Sequence, residues 1–497
     1  TAYEIMPSLV GSEMCIRDRP YWSKLMALAR SYAKFISSLN YNDLPIQVAD
    51  KLKASILHAL VVSIIGAQTH HGKSAIELTK EEESKSDGAT ILVDGTKATR
   101  AGAAFANSKL MHATNQTDSY RMLIHPGPCI IPAALATAEL TGASGQDFIT
   151  ALSAGYEVES RIAGDFIPTT QARGFRCSPI YGTLGAAITT GKLLGLDEDQ
   201  LVTALALACT FAAGTTEGPR VSSREMMYHE PQATRAGITA ALLARENLHG
   251  SETCLEGEAG FYNAFTGNNR GELSYTFTPG DGEISGTTDI GQTVQDLGSR
   301  WELLHITPKI YPTAGYNCPV IDLTARACAN NPIPLDEVES INMEMNWLET
   351  SYPSPAFPNQ DRSMPGVGST HYFIAYTWVH GYYPPLRSQL DTDEDNTATD
   401  RAISDLQRRV TVTGHRNRAN FSPRITIYTK SGEEYHDEFT GNELKLDLAT
   451  ETSVVTALFS QIPWPRTKLD QIVSTVTTLD EKTDIASLIL SCVPSQA

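Results

Sequence analysis

The densest group of polar side chains in the chain lies at residues 112–120, between two apolar stretches. The segment starts at His112. A second histidine, His125, lies after it and is itself followed by a rigid proline and a flexible glycine. A turn of this kind can aim an imidazole into a cavity, where it exchanges protons near neutral pH. The alternative is structural. Asn, Thr, Asp and Ser also cap helices and close turns, and Pro132 suits the first turn of a following helix.

Length, composition and charge limit the classes of function. The chain has 497 residues, of which 41% are hydrophobic and 19% charged, with a net charge of -18. These values are typical of a globular protein with several domains, or with one large domain carrying an insertion. The negative charge disfavours nucleic acid and anionic membranes as partners. A small anionic substrate would therefore need a local basic pocket.

The cysteines and the apolar runs point to a reduced protein without membrane spans. None of the eight cysteines forms a Cys-x-x-Cys pair, so the sequence predicts free thiols in an intracellular compartment and no zinc or iron–sulfur framework. The longest apolar runs, at 54–67 and 201–214, are about 14 residues long, short of the roughly 20 that cross a bilayer. We expect them to be buried core helices.

The first 21 residues show neither helical nor strand periodicity and begin with Thr1. We interpret residues 1–21 as a non-native or disordered leader and exclude them from reasoning about the fold. A targeting peptide would then be invisible in the sequence. We expect a cytoplasmic protein, with a mitochondrial location as the open alternative.

The periodicity of apolar residues changes twice along the chain. Helical spacing predominates over 22–305, alternation typical of strands appears within 306–440, and helical spacing returns over 441–497. We therefore predict a mainly α protein in which a large all-helical domain, formed by the first and third segments, is interrupted by an inserted smaller α+β domain.

Local signals support these segments. Residues 144–147 resemble a capping box that opens a helix, Gly195 suits a helix end, and residues 197–200 cap the next helix. Residues 424–428 and 434–436 are separated by a turn and predict a β-hairpin.

A cluster of acidic residues near position 395 is interpreted as a solvated loop or as the start of a helix. A calcium site is the alternative, but the glycine and the terminal glutamate of an EF-hand loop are missing at the required spacing. We therefore predict no metal site. The acidic residues are Asp391, Asp393, Glu394, Asp395 and Asp400.

Several motifs, taken in order, resemble the MmgE/PrpD family, which includes 2-methylcitrate dehydratase, cis-aconitate decarboxylase and iminodisuccinate epimerase. The resemblance covers most of residues 22–440 and implies a homodimer with a mostly helical domain, a smaller lid domain and a cofactor-free site between them. The motifs are AGAAFANS (101–108), HPG (125–127) with IPAALA (131–136), GYEV (155–158) with Arg161, GTLGAA (182–187) with GKLLGL (191–196), and LEG (255–257) with GF (260–261).

The chain departs from the family pattern around its two histidines. The family usually shows a histidine, then Asp-Phe-Asp-Asp-Thr, and then the histidine that acts as an acid or base. His112 and His125 match these histidines, but Asn115 and Thr117 replace the first two carboxylates. An amide can neither accept a proton nor balance a cation as a carboxylate does.

Further matches and departures lie downstream. Arg176 stands where the family has the histidine of a Gly-Trp/Phe-His motif, and Met226 falls near the position of a family lysine, with Arg224 two residues away. Lys309 matches the lysine at the entry of the lid domain, and Tyr376 matches a tyrosine of that domain. The departures lie where family members handle protons and bind anions.

The resemblance implies roles for these residues. His125 transfers protons, Lys309 binds a carboxylate at the reacting centre, and Tyr376 donates a hydrogen bond to a carboxylate or to a leaving hydroxyl. The predicted substrate-binding residues are His112, Asn115, Asp118, Ser119, Arg173, Arg176 and Arg224.

Each assignment has a structural alternative. His125 could be a turn histidine, Lys309 a surface lysine, and Arg176 one half of a salt bridge. These alternatives make a geometric test possible, because only the functional interpretation requires Lys309 and His125 to face one shared cavity.

The predicted function is that of a divergent, cofactor-independent carbon–oxygen lyase that dehydrates a citrate-like or aconitate-like polycarboxylate. Two alternatives remain open. One is a decarboxylase, isomerase or epimerase of a related polycarboxylate, and the other is a non-catalytic binding or scaffold protein that keeps the fold. His125 and Lys309 favour an enzyme, whereas Asn115 and Met226 favour the binding protein.

Overall fold

The computed structural model describes residues 27–221, 223–246, 248–277, 285–357, 369–383 and 397–494. The predicted leader, residues 1–21, and the acidic residues Asp391, Asp393, Glu394 and Asp395 lie outside these ranges. None of the described helices is long and apolar enough to cross a membrane.

Helices account for most of the described chain, and the predicted mainly α fold with a small α+β part is confirmed. The helices are α1 (Leu28–Ser38), α2 (Ile46–Gly66), α3 (His70–Glu83), α4 (Arg100–His112), α5 (Gly127–Thr141), α6 (Gly145–Ala163), α7 (Ile167–Ala172), α8 (Cys177–Leu193), α9 (Glu198–Phe211), α10 (Glu217–Val221), α11 (His229–Ala244), α12 (Phe261–Thr266), α13 (Asn317–Asn330), α14 (Thr370–His380), α15 (Thr397–Gln407), α16 (Leu448–Thr456), α17 (Arg466–Thr477) and α18 (Ala486–Ser491). The strands are β1 (Ser84–Thr90), β2 (Lys97–Ala98), β3 (Glu272–Leu273), β4 (Gly286–Thr287), β5 (Val338–Asn346), β6 (Val410–His415), β7 (Arg424–Thr429) and β8 (Glu434–Glu438).

Short-range capping signals place several helix ends as predicted. The Ser144 hydroxyl accepts the Asp147 backbone N–H at 3.1 Å and opens α6, and Asp197 forms the equivalent box at the start of α9. Gly195 follows α8 with a φ of +67°. The expectation for Pro132 is wrong, because α5 already begins at Gly127 and the proline lies inside that helix.

Small residues allow the helices of the main body to pack closely. A Cβ atom at Gly155 in α6 would lie 1.8 Å from the Thr189 hydroxyl of α8, and one at Gly237 in α11 would lie 2.6 Å from the Ala186 Cβ atom of α8. The C-terminal helices pack on the same body. One contact is a buried ion pair between Lys51 of α2 and Glu451 of α16, with Nζ and Oε2 2.8 Å apart.

The α+β part is built on a four-stranded sheet with the order β6-β5-β7-β8. β5 pairs in parallel with β6 and antiparallel with β7, and β7 and β8 form the predicted hairpin. The core of this part is a second apolar cluster, made of residues between Tyr311 and Phe439 and separate from the cluster in the helical body. The domain limits at residues 305 and 440 stay predictions.

Candidate active site

A partly open cavity, whose roughly 450 Å³ of free space includes open solvent, brings together polar residues from four separate segments. Asn115 follows α4, His125 precedes α5, Arg176 caps the N-terminus of α8, and Lys309 lies in the segment before α13. The geometric test is therefore met, because His125 and Lys309 line the same cavity. The complete lining is Asn115, Met122, Leu123, His125, Gln171, Arg176, Pro219, Met226, Lys309, Ala314, Gly315 and Tyr352.

Backbone pairing between two loops explains why residues so distant in sequence meet. Ser119 and Thr307 form an isolated antiparallel bridge, with N–H to carbonyl distances of 2.8 and 2.9 Å. Three residues earlier, the Gln116 side-chain amide donates to the Ile310 carbonyl at 2.6 Å. This pairing brings Lys309 opposite Asn115.

His125 is held in one tautomer by the backbone. Its Nδ1 atom lies 2.8 Å from the Asp118 carbonyl oxygen, and since a carbonyl can only accept, Nδ1 carries the hydrogen. Burial lowers the pKa of His125 well below its usual 6.5, and the charges of Lys309 and Arg176 lower it further. The imidazole is therefore neutral, and Nε2 is left with a lone pair that can accept a proton.

Lys309 supplies an ammonium group whose partner carries no charge. Its Nζ atom donates to the Asn115 side-chain oxygen at 2.9 Å. Burial lowers the pKa of Lys309 to about 8. At neutral pH the ammonium is still mostly protonated, and its hydrogen-bond partner is a neutral amide, so the ammonium can bind an anion in this part of the cavity.

Arg176 is paired with a carboxylate that the sequence did not single out. Its Nη2 atom lies 2.5 Å from Oε1 of Glu230, and Nδ1 of His112 lies 3.3 Å from Oε2. Burial raises the pKa of the Glu230 carboxyl, but the charge of Arg176 and the hydrogen bond from its guanidinium outweigh this effect and hold the pKa well below its ordinary value. Burial lowers the pKa of His112 to about 3, so Glu230 is ionised and His112 neutral.

The sequence position of Glu230 gives no sign that it belongs to the site. It is the second residue of α11, and an acidic residue in the first turn is an ordinary complement to the helix dipole. Only its burial and its two contacts distinguish it from a surface carboxylate.

Asp118 does not line the larger cavity but holds neighbouring parts of the site through hydrogen bonds. Its Oδ1 atom accepts the Gly127 backbone N–H at 2.8 Å, and its Oδ2 atom accepts the Tyr156 hydroxyl at 2.8 Å. Burial raises its pKa to about 6. Both oxygens are engaged and Asp118 borders a different, smaller cavity, so the structure places it as a support for the start of α5 and for His125.

The other predicted residues do not line the larger cavity. The Arg224 side chain lies 3.5 Å from Nε2 of His71, and Tyr376 packs against the rings of His380 and Tyr383. His112, Ser119 and Arg173 are also absent from the lining of this cavity. The roles proposed for these residues, for Arg224 and for Tyr376 stay predictions.

The described residues contain no group of three or more His, Cys, Asp or Glu side chains positioned to hold a metal ion. The chemistry of the cavity is that of two cations, one neutral imidazole and a partly apolar wall.

Comparison with known proteins agrees with the motifs and with this helical body. Residues 30–274 match the MmgE/PrpD N-terminal domain. This part of the chain belongs to the MmgE/PrpD family. Within the matched MmgE/PrpD N-terminal domain lie His112, His125, Arg176 and Glu230, whereas Lys309 lies beyond it.

Several relatives are named cis-aconitate decarboxylase. The protein of Aspergillus terreus is 26% identical over 389 residues, which are 76% of this chain and 76% of the relative. The human protein is 28% identical over 243 residues, or 48% of this chain and 50% of the relative. The cis-aconitate decarboxylase-like protein oryM of Aspergillus oryzae is 26% identical over 292 residues, 56% and 57% of the two chains.

Proposed function

We propose that the protein is a lyase that acts on an aconitate-like or citrate-like polycarboxylate in the cavity lined by His125 and Lys309. The observation that carries this proposal is that the neutral His125 imidazole and the Lys309 ammonium line one shared cavity. The relatives named cis-aconitate decarboxylase support an enzyme of the lyase class.

Both decarboxylation and dehydration need cations and a proton-transfer group of the kind that line this cavity. Breaking a bond next to a carboxylate places negative charge on carbon and on the carboxylate oxygens, and a nearby ammonium or guanidinium stabilises that charge. Lys309 and Arg176 are the cations in position to do this. His125 exchanges a proton with the substrate through Nε2.

Decarboxylation is the branch favoured by the names of the relatives. The electrons of the broken carbon–carbon bond remain on the substrate as CO₂ leaves, and a proton is then delivered to carbon. A lysine with a pKa of about 8 suits that donation near neutral pH.

Dehydration is the second candidate, and the state of His125 favours it. A neutral imidazole can remove a proton from carbon and, as an imidazolium, deliver that proton to the departing hydroxyl, which leaves as water. The lone pair on Nε2, left free by the bond from Nδ1 to the Asp118 carbonyl, is the acceptor.

The test compares the wild type with His125→Ala on cis-aconitate, 2-methylcitrate and alkylated citrates. CO₂ release reports decarboxylation, and loss of the hydroxyl by mass spectrometry reports dehydration. We expect the wild type to convert at least one acid and His125→Ala to lower kcat by about 10²–10⁴-fold.

A matched control is His436→Gln, a half-exposed histidine of β8 that does not line the cavity. We expect it to retain wild-type kcat. No conversion of any acid, or equal kcat in wild type and His125→Ala, would overturn the proposal and favour a non-catalytic binding protein.

A further inference from the structure

An amide, and not a carboxylate, holds the ammonium group of Lys309. The Nζ atom donates to Oδ1 of Asn115 at 2.9 Å, and both residues line the cavity. Among the described residues, this amide oxygen is the one hydrogen-bond acceptor of the ammonium. An ammonium has three N–H donors, so the other two can donate to a bound ligand.

The surroundings of Asn115 fit an amide better than a carboxylate. Its Nδ2 atom donates to the Thr313 carbonyl at 3.4 Å, while Oδ1 accepts from Lys309. Since a carbonyl oxygen only accepts and an ammonium only donates, these two contacts fix which end of the amide faces Lys309. An aspartate would turn a second oxygen towards the Thr313 carbonyl and place two acceptors against each other.

The backbone fixes the position of Asn115 as well. Its φ of +58° lies in the left-handed region, which asparagine adopts more readily than most residues. Its backbone N–H donates to the carbonyl of His112, the last residue of α4, at 3.1 Å. The turn that follows α4 therefore places the amide before any ligand binds.

Two carboxylates act on Lys309 without forming an ion pair with it among the described contacts. Both oxygens of Asp118 are hydrogen-bonded elsewhere, and Glu230 is paired with Arg176. Burial lowers the pKa of Lys309 and the charge of Arg176 lowers it further, whereas Glu230 and Asp118 raise it, and the outcome is a pKa of about 8. The ammonium is thus mostly charged at pH 7, with an amide as its direct contact.

Uncharged groups complete the surroundings of Lys309. Burial raises the pKa of the Cys318 thiol to about 12, so it is not a thiolate at neutral pH. Three buried histidines near the ammonium are neutral, because burial lowers their pKa values. From about pH 7 to 10, therefore, Lys309 changes its charge while these neighbours keep theirs. The histidines are His58, His112 and His125.

We infer that Asn115 is a positioning residue that holds the Lys309 ammonium at the cavity wall without neutralising it, so that a carboxylate of the substrate is the anion in direct contact with it. The inference rests on the proposed function for its choice of ligand, and it applies to decarboxylation and dehydration alike. The amide at position 115, which the sequence associated with a non-catalytic binding protein, is then compatible with an enzyme.

Asn115→Asp adds a carboxylate beside Nζ and is followed by two measurements. NMR of protein labelled with ¹³C at lysine Cε gives the pKa of Lys309, and calorimetric titration with propane-1,2,3-tricarboxylate gives a Kd. We expect the pKa to rise by about one unit or more, because an opposite charge favours the ammonium. The Kd at pH 7 should increase by about tenfold or more, because the new carboxylate competes with the ligand for Lys309.

Asn115→Gly removes the amide without adding charge, and glycine suits the left-handed backbone. It provides the test if Asn115→Asp does not fold. The ammonium loses its acceptor, so the Kd should increase by about threefold or more while the pKa of Lys309 does not rise. An unchanged Kd in Asn115→Gly, an unchanged Lys309 pKa in Asn115→Asp, or tighter binding in either variant would overturn the inference.

The matched control is Asn442→Asp. Asn442 is exposed and accepts from Nζ of Lys445 at 2.9 Å, so the same two residue types make the same contact at the surface. Solvent and salt screen a charge added there, and both the Kd and the Lys309 pKa should keep their wild-type values. Loss of the resonance in Lys309→Arg assigns it and distinguishes it from Lys109, another buried lysine whose pKa is lowered to about 8.

Turnover is measured separately, so the inference and the proposed function can fail separately. If the wild type converts no acid but Asn115→Asp shows both shifts, the lyase proposal fails and the inference stands. If the wild type converts an acid and Asn115→Asp shows neither shift, the inference fails alone. A wild type that does not bind the tricarboxylate would contradict both.

Discussion

Lys309 is the residue whose charge state bears most directly on anion binding. It is buried, its pKa is lowered to about 8, and its partner Asn115 is neutral. Because only the protonated amine attracts a carboxylate, affinity for anions should be full below this pKa and fall as the pH rises through it.

We expect kcat/KM for an anionic substrate to decline above about pH 8 in the wild type. In Lys309→Arg the decline should be absent up to about pH 10, since a guanidinium stays charged, whatever the absolute rate. Exposed Lys430→Arg serves as the control and should keep the wild-type profile. An identical alkaline decline in Lys309→Arg would show that another group causes it.

At the residue scale, the sequence was informative where a motif fixed both residue type and neighbours. His125, Asn115, Arg176 and Lys309 were all selected from their motifs, and all four line the cavity. Glu230 could not be selected, because its meaning depends on burial against residues more than fifty positions away, which no local pattern records.

At the scale of elements, one buried carboxylate joins three parts of the site. Asp118 accepts from the first residue of α5 and from Tyr156 of α6, and its backbone carbonyl orients His125. A substitution in α6 that displaces Asp118 should therefore also alter the orientation of the His125 imidazole, although the substituted residue does not contact the substrate.

Tyr156→Phe removes the hydroxyl that donates to Asp118. We expect it to cost about 1 kcal/mol of unfolding free energy, measured with urea, and to lower kcat several-fold. Tyr262→Phe is matched, since it removes another buried hydroxyl, which donates to the Ile162 carbonyl at 3.2 Å. It should lower stability similarly and leave kcat unchanged; equal losses of kcat in both variants would argue against the link through Asp118.

The elements themselves could be predicted where their signals are local. The capping box at Ser144 and the hairpin of β7 and β8 depend on contacts within a few residues. The bridge between Ser119 and Thr307 could not be predicted, because it joins two loops through backbone atoms and leaves no side-chain signature.

At the scale of the whole molecule, the net charge of the chain is negative, whereas the charged residues that line the cavity are positive. The chain carries a net charge of -18, yet the described residues that line the cavity include two cations and no carboxylate. Sequence composition predicted this need for a local basic pocket, but only the fold shows which cations form it.

The resemblance to the MmgE/PrpD family also predicts a homodimer. We expect light scattering after size-exclusion chromatography to give twice the chain mass of 54.0 kDa. The mass should stay constant on dilution to micromolar concentrations, as is typical of large obligate interfaces. A particle of 54.0 kDa at all concentrations would contradict this prediction.

A crystal structure of the wild-type protein with a saturated carboxylic acid bound tests the central claim most directly. We predict a carboxylate within about 3 Å of the Lys309 Nζ atom, and carbon atoms of the ligand facing Nε2 of His125. A ligand bound only outside this cavity, with Lys309 and His125 both uncontacted, would contradict the account.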